Sequence, residues 1–291
     1  MAPYPPLAEL PPVVAPLQPT VPCPRCGGLC TIAAPLSSSI SCKLCGLTAS
    51  YHNDGKFIVI VEGSPISIQE DTIKYNRGAL KVVSGGNICI DRQNNIHVKG
   101  GSKISVRRCN NIHVEGGGDV SVHRCNNIHV ESGGSVSVHR CNNIDVEGGG
   151  KISVHRCNDI HVECSGDVSV HRCNNVLVKG GGKVSVHRCN NFDVEGGGDI
   201  SVHRCDGFRA DGGGNIWVHR CNGVQIERSG NICIHQCNNI YATKSGNIRI
   251  DRCNDAHLDG SGDVRIRRCN IAAVEKCVDA CINRCNTASV V

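Results

Sequence analysis

From residue 79 onward the chain is a tandem array of 16-residue repeats, and this period restricts the fold more than any other feature of the sequence. The unit is legible at residues 117–132, GGDVSVHRCNNIHVES. Cysteine returns at Cys109, Cys125, Cys141, Cys157, Cys173, Cys189, Cys205, Cys221, Cys237, Cys253, Cys269 and Cys285, and Gln93 holds the same slot one unit earlier. A short fixed period without insertions is the mark of a solenoid, in which each unit stacks on the last. A weaker period of half that length lies inside it. Val120 and Val122 are echoed by Ile128 and Val130, with small or polar residues between the pairs. Alternating apolar and polar residues mark half-buried strands. Each coil therefore reads as strand, turn, strand, turn, with about four apolar side chains directed inward. Burying each is worth roughly 1.5–3 kcal/mol. The expected fold is all-β: a parallel β-solenoid of two short strands per coil and about 13 coils over residues 79–291, its rungs ~4.7–4.9 Å apart.

Composition agrees with so narrow a core. Aromatic residues make up 3% of the chain, against 34 Gly and 22 Cys. Val and Ile must then fill the interior, and both favour strands. The net charge of +5 is too small to indicate a nucleic-acid binder by itself.

Three segments precede the solenoid. Residues 1–22 hold eight prolines and read as an extended arm, either a disordered tail or a docking segment for a partner. Residues 23–56 carry Cys23-Pro-Arg-Cys26 and Cys42-Lys-Leu-Cys45, the two pairs separated by residues 27–41. Two CxxC pairs at this spacing fit a tetrahedral four-thiolate zinc site, with disulfides as the alternative. The segment resembles a zinc ribbon, which implies structural zinc on Cys23, Cys26, Cys42 and Cys45. Cys30 is a spare thiol able to compete for the metal. Residues 57–78 are apolar but out of phase, and read as irregular lead-in strands or an N-terminal cap. No basic segment followed by an apolar stretch opens the sequence, and no apolar run reaches the length of a membrane helix. Synthesis in the cytosol without a membrane span is the expectation. So many thiols there imply metal binding or later oxidation.

Such a period also stacks like side chains into columns. The Cys column falls at a tight corner, aligned with Gly117 and Gly133 half a coil away. Adjacent rungs bring α-carbons within reach of a disulfide, so the column reads either as staples or as small apolar corner residues. Cys89, Cys233 and Cys281 share the outward column of Ser121, while Cys164 and Cys277 lie at the Gly-rich turn. These five are the candidates for cross-links between molecules. The Asn column from Asn110 to Asn190 suits the turns, since Asn tolerates left-handed backbone and stacked amides bond to one another.

Charge separates by face. One strand projects Ser121 and His123, then Arg124; Arg108, Arg140, Arg156 and Arg172 share that last column. The other strand ends in the column of Glu115, Glu131, Glu147 and Glu163. Like charges on neighbouring strands are destabilising. An Arg column therefore calls for counter-charges, which the Glu column of a neighbouring molecule can supply; the alternative is that salt screens both. Histidines run unbroken from His123 to His235, as a surface stripe or a metal-binding line. Trp217 and Tyr241 point outward on opposite faces.

An enzyme is not expected. An active site needs a local, non-repeating constellation, and the Ser-x-His pair recurs in coil after coil. The six-residue period of acyltransferase solenoids and the Thr columns of ice-binding ones are both absent. A nucleic-acid-binding module, using the ribbon and the Arg–His face, is the alternative function, although stacking aromatics are scarce. The last repeats stay in phase through Ala288 and Val290. An open end of this kind favours a self-assembling structural protein that stacks end to end and packs side by side into fibres or a layered coat, with the cross-β strand arrangement of an amyloid. In style, residues 79–291 resemble the cysteine-rich structural coat or tegument proteins of large DNA viruses, which implies assembly into a virion and oxidation of the thiols afterwards.

Overall fold

A computed structural model describes residues 87–100, 103–164 and 166–291, together with the backbone of the strands that lie between residues 20 and 83. It is all-β, and the described residues contain no helix. From β9 (Asn87–Asp91) and β10 (Asn94–Lys99) onward, two strands alternate in every coil. The next coil is β11 (Lys103–Arg107) and β12 (Asn110–Glu115), and the alternation holds to β28 (Asn238–Thr243). Each strand pairs in parallel with the one two places on. Ile112 lies beside Ile128, His113 beside His129, and Val120 beside Val136. The 16-residue period is thus an in-register stack of two parallel sheets facing each other across the core. About twelve turns are formed, against the thirteen expected from the repeat.

The core is as narrow as the composition requires. Val120 and Val122 from one sheet meet Ile128 and Val130 from the other, and all four are at most 2% exposed. Only Phe192 and Phe208 enlarge it. They stack with centroids 6.1 Å apart, and Ala210 beside Phe208 returns the volume in that coil.

Two corners close each coil. At the cysteine corner the backbone is left-handed twice. The residue before each Cys slot, from Arg92 to Arg284, has φ between 53° and 58°, with Gln236 the one non-Arg member. From Asn95 to Asn239 the second residue after that slot is Asn, Asp or Gly and is left-handed too, as at Asn127 (φ 50°) and Gly207 (φ 63°). Both neighbouring Asn columns form amide ladders, for example Asn126 Nδ2 to Asn110 Oδ1 at 3.1 Å and Asn127 Nδ2 to Asn111 Oδ1 at 2.9 Å. The Asn column next to Cys therefore does bond along the axis, but the left-handed positions belong to the following column and to Arg. The opposite corner begins as glycine and turns gradually into a copy of the first, through Arg228-Ser229 and Lys244-Ser245 to Lys276-Cys277. Arg228, Lys244 and Lys276 are left-handed there as well.

The N-terminal strands are antiparallel. β1 (Thr20–Pro22), β2 (Leu29–Ile32), β3 (Ser37–Cys42), β4 (Thr48–Asn53) and β5 (Ile58–Glu62) run as a meander. β5 then pairs antiparallel with β8 (Leu80–Val83), and β8 pairs in parallel with β10. On the other face, β6 (Ser67–Gln69) and β7 (Thr72–Lys74) form a hairpin, and β7 continues the sheet below β9. Residues 57–78 thus supply strands that extend both sheets at this end. Of the ribbon cysteines, Cys23, Cys26 and Cys45 lie outside the described residues. The backbone of Cys42 is paired with that of Cys30 across β2 and β3.

Candidate functional site

The far end differs from the near one. β29 (Ile248–Asp259) and β30 (Asp263–Glu275) run through the cysteine corner without a break, and β31 (Asp279–Asn283) and β32 (Thr287–Val290) lie on β30. Among the described strands nothing pairs beyond β31 and β32. Their inward-phase side chains lose cover as a result. Ala280 and Ile282 are half-buried, and Val290 is 59% exposed although its column is otherwise sealed.

Along the rod, the cysteine column consists of free thiols, buried from Cys109 to Cys269 and half-buried at Cys285. Each sulfur serves the backbone. The Cys109 N–H donates to Cys125 Sγ at 3.4 Å, and the same contact recurs from Cys125 to Cys141 and from Cys221 to Cys237. The thiol in turn donates to the carbonyl two residues back, as in Cys141 Sγ to His139 O at 3.3 Å. At the other corner Ser245 Oγ takes the Ser229 N–H in the same way, at 3.4 Å. Burial pushes the Cys253 thiol up to about 12, so it is held neutral. Of the thiols outside the column, Cys233 and Cys281 are exposed and Cys89 and Cys277 half-buried, whereas Cys164 is buried.

The charged columns stand where the alternation placed them. Arg108, Arg124, Arg140, Arg156 and Arg172 are at the cysteine corner, and Arg124, Arg140, Arg156 and Arg172 have no ion pair with any described residue. Glu131, Glu147 and Glu163 are exposed on the other sheet. Glu115 is half-buried and accepts hydrogen bonds from His97 and His113. Toward the C-terminal end the charges pair within the chain instead, as Arg228 with Asp211 and Arg267 with Asp251.

The eight histidines from His123 to His235 form a continuous stack. Ring centroids are 4.8–5.0 Å apart and the planes lie within 14° of one another. Partial burial, then the neighbouring imidazoles, then the adjacent arginines hold His155, His171, His187, His203 and His219 below the usual histidine range. Trp217, the single tryptophan, is 46% exposed on this sheet, and Tyr241 is 41% exposed on the other.

A second histidine column was not distinguished by sequence reasoning. His97, His113 and His129 project from the Glu-bearing sheet, and their rings touch carboxylates rather than only one another. The signal that finds them is a histidine recurring at the same place in successive repeats, with a carboxylate two positions after His113 and after His129.

Comparison with protein-family models, with curated proteins and with solved structures finds no match to this chain. No helix among the described residues is long and apolar enough to cross a membrane.

Proposed function

We propose that the protein is a structural, fibre-forming scaffold whose solenoids join through strand edges and pack side by side. The observation that supports this reading is the uninterrupted in-register stack of about twelve coils, whose two strand ladders run in parallel along the whole repeat array. A second copy that adds its strands to such a ladder continues both the backbone hydrogen bonds and the burial of the Val and Ile columns. Pairing of unlike ends is heterologous and propagates, whereas pairing of like ends is isologous and closes into a dimer of rods.

Lateral packing follows from the charge columns. An arginine held in left-handed backbone costs on the order of 1 kcal/mol. The chain accepts that cost from Arg92 to Arg284 while using Asn, Asp or Gly at its other left-handed column. The guanidinium is thus retained for a counter-charge outside the chain, and the Glu131–Glu163 column of a neighbour has the same axial spacing. The absence of ion pairs around Arg124–Arg172 also favours a second reading, in which a polyanion such as a nucleic acid lies along that corner. Structural zinc on Cys23, Cys26, Cys42 and Cys45, assembly into a virus particle or other coat, and oxidative cross-linking through Cys233 and Cys281 belong to the same proposal.

Electron microscopy of the reduced, zinc-supplied chain tests it. Single solenoids of about twelve rungs would be rods of roughly 60 Å. Filaments that the double substitution Ile282→Lys and Val290→Lys reduces to single rods would support edge pairing. Single rods of the unsubstituted chain at every concentration would overturn it. Bundles that dissolve in high salt while filaments persist would assign the charged columns to lateral contact.

A further inference from the structure

The two histidine columns differ in a way that separates a stack from a ligand set. Along His123–His235 the rings are parallel, and their nearest neighbours are other imidazoles. Nitrogens on parallel rings 4.8–5.0 Å apart do not converge on one point. At the start of the other column the rings turn. His97 and His113 have the same centroid separation, 4.9 Å, but their planes are 81° apart. This brings His97 Nε2 to 2.9 Å and His113 Nε2 to 3.0 Å from the same oxygen, Oε1 of Glu115. Lys99 Nζ approaches the other carboxylate oxygen at 3.4 Å, leaving Oε1 to the histidines.

We propose that His97, His113 and Glu115 form a binding site for a divalent transition ion of the zinc class, clamping two successive coils at the N-terminal end of the solenoid. Two imidazoles and one carboxylate are a donor set that such ions favour, with the remaining positions open to water or to a neighbouring molecule. All three ligand atoms lie within 4.8 Å of one another, close enough for small side-chain rotations to bring them around one ion. They also face solvent, so the ion has a path in. In the ion-free site both Nε2 atoms carry hydrogen and donate to the carboxylate. On binding, each neutral ring shifts its proton to Nδ1 and offers the Nε2 lone pair to the ion. The carboxylate is ready for this role. It already meets both imidazoles through Oε1 and Lys99 through Oε2.

The same arrangement recurs two coils on. His129, Asp145 and Glu147 stand to one another in the chain as His97, His113 and Glu115 do, and again gather three ligand atoms within 4.8 Å. There a carboxylate replaces the second histidine, which makes the set harder and its affinity for zinc-class ions lower. The His97 site is therefore the primary one. Its geometry follows from the fold: parallel in-register stacking places His113 directly above His97, and strand alternation puts Glu115 on the same face as both.

Cobalt titration of the full reduced chain tests the assignment, because thiolate-bound cobalt shows intense near-ultraviolet charge transfer and a nitrogen–oxygen site does not. The expected result is one thiolate-free equivalent in the unsubstituted chain. His113→Ala and Glu115→Gln should each weaken it by at least about tenfold. His171→Ala, in the parallel stack, should leave it unchanged. Lys99→Ala should tighten it by removing a competing cation, a gain that misfolding cannot mimic. Identical cobalt binding in the unsubstituted, His113→Ala and Glu115→Gln chains would overturn the site, as would a spectrum with thiolate character alone. Because the ligands lie within one chain, failure of fibre assembly would leave this result unaffected.

Discussion

Acidification should weaken the solenoid through the histidine stack. His123 to His235 place seven ring pairs at 4.8–5.0 Å along one sheet. Two unit charges at that separation repel by about 0.8 kcal/mol in a water-like dielectric. Screening at physiological salt roughly halves this, because the Debye length is about 8 Å. Full protonation of the stack thus costs on the order of 3 kcal/mol. The groups around it add to the effect on most sides. Arg107 lies below the first ring, and Arg124 to Arg220 follow each histidine at the corner. Ser121 to Ser201, then Trp217 and Cys233, flank it without charge. Only Asp251 opposes, 3.5 Å from His235 at the upper end.

The direction of the effect follows from proton counts. Six of them, His123, His155, His171, His187, His203 and His219, are held below the unfolded value of about 6.5, so over the intervening window the unfolded chain binds more protons than the native one. Stability then rises with pH, is complete above about 6.5, and is lost as pH falls through the depressed native values. Urea unfolding at pH 7.5 and pH 5, followed by the fluorescence of Trp217 and by circular dichroism, should show the midpoint falling at the lower pH. In a variant carrying His139→Gln, His171→Gln and His203→Gln, which removes every adjacent charged pair except His219–His235, the fall should be mostly suppressed. A midpoint that stays constant or rises on acidification, or a loss of equal size in the variant, would refute the reasoning.

Other consequences are more local. Cys205→Ala leaves the buried Cys189 N–H without its sulfur acceptor and should cost about 1–3 kcal/mol in chemical denaturation, with Cys205→Ser costing less because Ser229 and Ser245 fill the equivalent corner. Gly198→Ala would set a methyl 2.5 Å from the Gly182 carbonyl oxygen, so a loss of about 1–3 kcal/mol is expected from forced separation of two coils. Alkylation of the native chain should modify Cys233 and Cys281 long before the corner thiols Cys109 to Cys269, since the latter are buried; mass mapping over time distinguishes this from uniform labelling.

The solenoid was legible in the sequence because a repeat without insertions leaves little for tertiary context to decide. Val120 and Val122 had to face inward once Ile128 and Val130 did, and the columns of Cys, Arg and Glu followed by arithmetic. The corner chemistry was less accessible. Asn was the natural residue for a left-handed turn, yet the structure places Arg there as well, because two sharp bends are needed on either side of the buried cysteine. The cysteine column shows the same division. Its spacing and burial could be read from the period, but a disulfide and a free thiol fit that period equally well. The backbone N–H that a sulfur accepts is visible only when the coils are stacked. The two histidine columns make the point most clearly. Sequence alone put imidazoles one repeat apart in both. Which of them turn to meet a carboxylate depends on whether a Glu stands on the same face of that strand or of the next rung, as Glu115 does for both His113 and His97, and on how neighbouring rungs let the rings rotate. The period determined what lies above what; side-chain orientation, set by packing between rungs, decided which stacked groups interact.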